Sequence, residues 1–286
     1  MSIEPVMAPF GERLRAAMTA RGPLCVGIDP HPSLLASWEL PDDAAGLERF
    51  ARTCVEALAG QVAVLKPQSA FFERHGSAGV AVLERAMSDA RSAGCLVLLD
   101  AKRGDIGSTM TAYAQAYLDP SSPLRADAVT LSPYLGFGSL RPALDMTARH
   151  GAGVFVLALT SNPEGASVQH ARDADGRSVA ASIVDGVATE NADANDLGSV
   201  GMVVGATVGS AVGQLGLDLD ASRAPLLAPG IGAQGAGPAD LQRVFGSARR
   251  NVLASSSRGV LAAGPTVAAL REAAALMADQ VAAALA

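Results

Sequence analysis

The chain has 286 residues, 49% hydrophobic and 17% charged, which excludes a disordered chain and suits a globular protein with a large core. Its net charge of −6 gives no sign of general nucleic-acid binding, which needs a basic face, so an anionic ligand would have to be held by a few local groups. Cys25, Cys54 and Cys95 form no C-x-x-C pair, and Cys25 and Cys95 lie in apolar runs, the pattern of buried thiols in a reducing compartment.

The N-terminus, MSIEPVMAPFGERLRAAM, lacks the basic-then-apolar order of a signal peptide, so a cytoplasmic protein is expected. The first continuous apolar run is LCVGID (24–29), closed by Asp29. An Ala-rich helical stretch, DAAGLERFARTCVEALAG, leads to VAVLK (62–66), closed by Lys66. A second, AGVAVLERAMSDARSAG, leads to CLVLLDAK (95–102), which carries Asp100 and Lys102. DAVTLS (127–132) and GVFVLALTS (153–161) follow, the latter ending in Ser161. A long connection, about 162–199, contains NPEGASVQHARDADGR and a helical SVAASIVDGVATENA; it reads equally as a lid or as an inert insertion. VGMVVGAT (200–207), PLLAP (225–229) and NVLASS (251–256) complete eight runs. The apolar C-terminus from Val267 is interrupted by Arg271, Glu272, Asp279 and Gln280, so it reads as an amphipathic packing helix and not a membrane span.

Continuous apolar runs suit strands buried on both faces, and their alternation with helical stretches predicts an α/β protein with a parallel sheet. Eight units in this length, with no dividing linker, favour one closed (β/α)8 TIM barrel over residues 1–286.

Of the 22 Lys and Arg residues only Lys66 and Lys102 are lysine, and both fall at C-terminal ends of predicted strands, the active-site face of a barrel. An ammonium can give up a proton to a reaction centre where a guanidinium cannot readily do so. Asp100 and Lys102 lie two positions apart, on one side of a strand, and Asp105 follows in the loop or first helical turn, giving Asp-x-Lys-x-x-Asp. That spacing alone fits a structural ion-pair network or a catalytic one; Lys66 on the neighbouring strand favours catalysis. After the seventh strand, PGIGAQG places Gly230, Gly232 and Gly235 in a G-x-G-x-x-G pattern. Its late position argues against a dinucleotide fold, and the glycines read as a turn or as backbone that can approach a phosphate. Arg258 and Gly259 follow the eighth strand in ASSSRGV, and an arginine there favours the phosphate, which barrels commonly bind with the loops after strands seven and eight. Asp29 and Ser161 suit sugar hydroxyls and a ring amide, or act as helix caps. His31, His75, His150 and His170 form no zinc-binding pair, and there is no Walker A loop or G-x-S-x-G elbow.

GIDP, LKPQ, DAKRGDIGST, LTSNPEG, APGIGAQG and SSSRG occur in the order seen in the orotidine 5′-monophosphate decarboxylases, and DAKRGDIGST is similar to the longer bacterial branch of that family, a resemblance spanning about residues 24–260. The resemblance implies cofactor-free, metal-free decarboxylation of orotidine 5′-monophosphate to uridine 5′-monophosphate, the last step of de novo UMP biosynthesis. It implies that Lys102 protonates C6 of the pyrimidine, that Asp100 lies against the substrate carboxylate, and that Asp29 and Lys66 contact the ribose. It further implies that Ser161 reads the pyrimidine edge, that Gln234 and Arg258 hold the 5′-phosphate with the loop backbone of Gly230, Gly232, Gly235 and Gly259, and that Asp105 and Thr109 reach into the site of a partner subunit in a homodimer. In LSPYLGFG (131–138), Ser132 and Gly138 stand where the family leads one to expect Asn and Asp. Alternatives from the residues alone are a Schiff-base aldolase, a metal-dependent phosphosugar decarboxylase or epimerase sharing Asp-x-Lys-x-x-Asp, and a phosphate-ligand sensor without turnover.

Overall fold

The structure is a computed structural model describing residues 7–231 and 236–286. Eight strands occur where the eight apolar runs place them: β1 (Leu24–Ile28), β2 (Val64–Pro67), β3 (Leu96–Arg103), β4 (Ala128–Leu131), β5 (Gly153–Leu159), β6 (Val200–Val204), β7 (Leu226–Pro229) and β8 (Val252–Ser256). Each pairs in parallel with the next, and β1 pairs with β8, so the sheet closes into a (β/α)8 barrel. None of the described helices is long and apolar enough to cross a membrane.

The two-residue period of a strand divides the core into two shells. Val26, Leu65, Val97, Leu99, Val129, Val154, Val156, Met202, Leu226 and Ala254 point outward and pack beneath the helices. Cys25, Val64, Leu98, Ala128, Phe155, Val203, Leu227 and Leu253 point inward and fill the barrel. Two residues further along several strands the same inward parity reaches Lys66, Asp100, Thr130 and Ser255. The polar site is therefore the next storey of the apolar interior.

The helix Phe10–Arg21 closes the opposite, N-terminal end of the barrel, with Phe10, Leu14 and Met18 in the inner shell. The Phe10 ring meets Phe155 edge-on at 6.0 Å. Arg13 anchors this plug: it donates to Asp127 Oδ1 at 2.6 Å and to the Gly151 carbonyl at 2.9 Å, while Asp127 Oδ2 accepts the Val97 N–H at 2.9 Å. The C-terminal helix Val267–Leu285 buries Leu270, Ala274, Met277, Val281 and Ala284, the 3.6-residue stripe of a packing helix. Cys25, Cys54 and Cys95 are all buried and free, and burial pushes the Cys25 and Cys95 thiols up to about 12.

The connection after β5 divides into two parts. Pro163–Gly165 and Ala166–Gln169 form short helical turns, followed by an antiparallel bridge between Arg172 and Ser178. The helix Val179–Glu190 then buries Ala180, Ile183, Val184 and Val187 beside β5 and β6, as a regular barrel helix. β5 ends at Leu159, two residues before Ser161, because the Thr160 N–H donates to Gln169 Oε1 at 2.8 Å and leaves the ladder.

Candidate active site

The C-terminal ends of the strands open into a cavity of about 660 Å³. Asp29, Lys66, Asp100, Lys102, Ser161, Gly230, Arg258 and Gly259 all line it, so residues spread over 230 positions of sequence converge on one site. Gly232, Gln234 and Gly235 lie outside the described residues. Leu157, Val203 and Leu227, continuing the inward parity, give the cavity an apolar component.

The charged centre is a carboxylate between two ammoniums. Lys66 Nζ lies 3.0 Å from Asp100 Oδ2, and Lys102 Nζ lies 2.6 Å from Asp100 Oδ1. Lys66 and Asp100 are buried, whereas the Lys102 side chain is 47% exposed. Burial opposes ionisation of Asp100, but Lys66 and Lys102 outweigh it and hold the carboxyl down at about 2. Burial likewise opposes charge on Lys66, yet Asp100 and Asp29 raise its ammonium above the ordinary lysine value. Asp100 and Lys66 therefore carry their charges before any ligand arrives.

The Asp-x-Lys-x-x-Asp spacing does not bring both of its carboxylates to Lys102 within this chain. Asp105 does not line the cavity or pair with Lys102; its Oδ1 accepts the Ile106 N–H at 2.8 Å. The register explains why. β3 is paired with β4 at Leu99↔Val129 and next at Arg103↔Leu131, so the strand bulges between these points and then turns away. Gly104 marks the turn: a Cβ there would lie 2.2 Å from the Ser132 carbonyl oxygen. Thr109, exposed on the helix Gly107–Leu118, is also absent from the cavity lining. Ser132 donates its N–H to the Arg103 carbonyl at 2.7 Å, and Gly138 is exposed in the 3-10 turn Phe137–Leu140; neither lines the cavity.

At the far rim, Gly230 takes a φ of +96°, which only glycine adopts readily, directly after β7. Arg258 begins a four-residue helical turn after β8, exposed, and among the described residues no carboxylate pairs with it. Asp29 Oδ1 and Ser257 Oγ are buried without a hydrogen-bond partner among the described residues, so both have unused capacity toward the cavity they line.

Four contributors escaped the sequence reading. The Thr130 hydroxyl donates to Asp100 Oδ1 at 2.8 Å, and Gln68 Nε2 donates to the Asp100 carbonyl at 3.1 Å. Arg103 donates to the Ala101 carbonyl at 3.0 Å and pairs with Glu73. The inward parity of β4 identifies Thr130 once its register with β3 is known; Gln68 and Arg103 lie within LKPQ and DAKRGDIGST, with no role assigned to either there, and Glu73 lies outside every such segment. Among the described residues no group of three or more His, Cys, Asp or Glu side chains is placed to hold a metal ion. His31 lines the cavity with its ring tilted at 60° against Phe71, the ring centroids 4.1 Å apart.

The fold and site define a class: a (β/α)8-barrel enzyme whose strand ends carry a preorganised ion cluster, facing a cavity with an available arginine for an anionic ligand. Comparison with known proteins narrows the class. The "Orotidine 5'-phosphate decarboxylase / HUMPS family" matches residues 22–273. A Streptomyces coelicolor protein named orotidine 5'-phosphate decarboxylase is 65% identical over 269 residues, 94% of this chain and 95% of that protein. A crystal structure described as a putative orotidine 5'-phosphate decarboxylase from Streptomyces avermitilis is 63% identical, with a TM-score of 0.93 over 98% of this chain and 96% of that one. The Leishmania donovani OMP decarboxylase structure is 31% identical, with a TM-score of 0.75, covering 97% and 98% of the two chains. The chain belongs to the orotidine 5′-phosphate decarboxylase family and is a carboxy-lyase.

Proposed function

We propose that this protein removes CO2 from orotidine 5′-monophosphate to give uridine 5′-monophosphate, with Lys102 as the proton donor to C6 and with no cofactor. The observation that carries this reading is the state of Lys102: its ammonium is held 2.6 Å from Asp100 yet half exposed to the cavity. Breaking the bond between C6 and the carboxylate leaves an electron pair on C6 in the plane of the ring, with no carbonyl placed to accept it. A fixed ammonium aimed at C6 stabilises that developing charge and then supplies the proton, acting more on the transition state than on the ground state. The Asp100 carboxylate near the departing carboxylate adds a repulsion that ends as CO2 leaves.

In this reading Asp29 and Lys66 bond the ribose hydroxyls, Ser161 reads the pyrimidine edge, and Arg258 clamps the phosphate with the backbone at Gly230 and Gly259 and with Gln234. Binding at the phosphate aligns the ring with Lys102, so it serves rate as well as affinity. Asp105 and Thr109 serve the site of a second subunit in a cytoplasmic homodimer of single-domain chains. Their absence from this chain's own cavity supports that assignment, as do the exposed apolar Ile106, Tyr134 and Leu135 on the loops after β3 and β4.

The test is to mix metal-free purified protein in EDTA with orotidine 5′-monophosphate and follow the ultraviolet absorbance, which falls as the conjugated carboxylate is lost. A constant absorbance rejects the reading. Activity that vanishes in EDTA and returns with a divalent metal points to the phosphosugar class instead. Borohydride trapping of Lys102 on a carbonyl substrate points to an aldolase, a chemistry that needs a neutral amine and is disfavoured by the adjacent Asp100.

A further inference from the structure

Lys102 adopts a φ of +49°, one of three non-glycine residues with positive φ among the described residues. The conformation is sterically costly for an L-residue and persists only where the surroundings enforce it. On a regular strand, side chains two positions apart point the same way but stand roughly 6.6 Å apart along the strand. Within this kink in the β3 bulge, the Lys102 ammonium lies 2.6 Å from Asp100 Oδ1.

One buried atom meets every part of this kink. Thr130, 1% exposed on β4, accepts the N–H of Ala101 and the N–H of Lys102, each at 3.0 Å, on the same Oγ1. That hydroxyl donates its own hydrogen to Asp100 Oδ1 at 2.8 Å, the oxygen that also receives Lys102 Nζ. A hydroxyl has one donor and two acceptor sites, so this one is used to capacity. On the other side of the strand the Arg103 guanidinium holds the Ala101 carbonyl and is itself paired with Glu73, so both polar groups of residue 101 are taken outside the β-ladder.

From this geometry we infer that Thr130 is the positioning residue of the active site: its hydroxyl holds the backbone of Lys102 in the left-handed kink and thereby aims the ammonium. The Thr130 hydroxyl spends its donor and both acceptor sites on protein groups, so its effect on rate is exerted through Lys102. The inference rests on the proposed decarboxylation only for the rate measurements below.

The test compares Thr130→Val, which keeps the branched shape and the strand preference but leaves both N–H groups unpartnered, with Thr130→Ser, which keeps the hydroxyl. Displacement of a catalytic group by about 1 Å costs on the order of a hundredfold in rate. Thr130→Val is therefore expected to lower kcat about a hundredfold while uridine 5′-monophosphate binding changes less than about fivefold, and Thr130→Ser to stay within about threefold of the wild type in both. A readout independent of activity comes from the composition: with only two lysines, lysine labelled with 13C at Cε gives two resonances, assigned by Lys102→Arg. The Lys102 resonance is expected to move toward that of free lysine in Thr130→Val and to stay in place in Thr130→Ser.

An unmoved Lys102 resonance in Thr130→Val, a kcat within about tenfold of wild type, or equal losses in both variants would overturn the inference. If the valine variant lacks a cooperative melt, Thr130→Cys replaces it under the same criteria, the thiol being a weak acceptor of similar size. If the wild-type protein shows no decarboxylation, the functional reading fails, and the resonances still decide whether Thr130 holds Lys102.

Discussion

The barrel buries an aspartate ion pair at each of its ends, and the two are put to opposite uses. At the N-terminal end Asp127 meets one cation, Arg13, and its second oxygen accepts a backbone N–H, so charge and hydrogen bonds are satisfied within the fold. At the C-terminal end Asp100 meets two ammoniums, and one of them, Lys102, is half exposed to a 660 Å³ cavity. The first arrangement fastens the plugging helix to the barrel. The second leaves a positive group whose carboxylate partner is shared with Lys66, held still and open to a ligand. The chemistry of the pairs is similar; surplus charge and access separate the functional end from the structural one.

Substitutions at the two ends should therefore part company, beginning with Lys102→Ala. If Lys102 is the proton donor as proposed, losing it together with a fixed charge predicts a fall in kcat of about 10⁴-fold in the absorbance assay. The melting temperature and product binding by calorimetry should change little, since this side chain is half exposed. Turnover within tenfold of wild type would exclude Lys102 as the donor.

Asp100→Asn should lower kcat by about 10²–10³-fold and, unlike Lys102→Ala, should also destabilise the fold, because the buried Lys66 ammonium loses its carboxylate; breaking such a pair costs about 3–5 kcal/mol. The sign of the pH dependence follows from the wild-type carboxyl, held down at about 2 in the folded state. A depressed carboxyl contributes stability that is complete above its unfolded value, about 3.9, and is lost as pH falls through the folded value. Acid titration of stability should thus show a component of about 2 kcal/mol between pH ~4 and ~2 that Asp100→Asn lacks. Identical acid profiles would break the assignment.

Arg258→Ala tests the opposite rim. Loss of a charge-assisted clamp predicts about 10- to 100-fold weaker binding of uridine 5′-monophosphate and unchanged binding of uridine. Equal weakening of both would remove Arg258 from a phosphate site. The smallest effect on rate belongs to Asp127→Asn, which should leave kcat within about twofold while costing about 2 kcal/mol in urea denaturation, discounted because Arg13 is one-fifth exposed. A changed kcat there would erase the contrast between the two ends.

The fold was legible because strands covered on both faces must be apolar along their whole length, and all eight runs became strands within a few residues of their bounds. Lys66, Asp100 and Lys102 stood out because lysine is so scarce in the chain and both lysines end such runs. What the order of residues did not reveal was the partner of each charge. Asp105, three positions from Lys102, is carried away by the turn at Gly104, while Thr130, twenty-eight positions on, supplies the hydroxyl that meets Lys102.

Read alone, the chain determined its strand periodicity, its barrel and the residue types of its site, since these follow from local burial and strand-end position. The tertiary structure decided which charges pair, that Lys102 is kinked, and that the second acid of the motif lies outside its own cavity. Those facts depend on the register between β3 and β4, a relation between distant segments that appears only when the sheet closes.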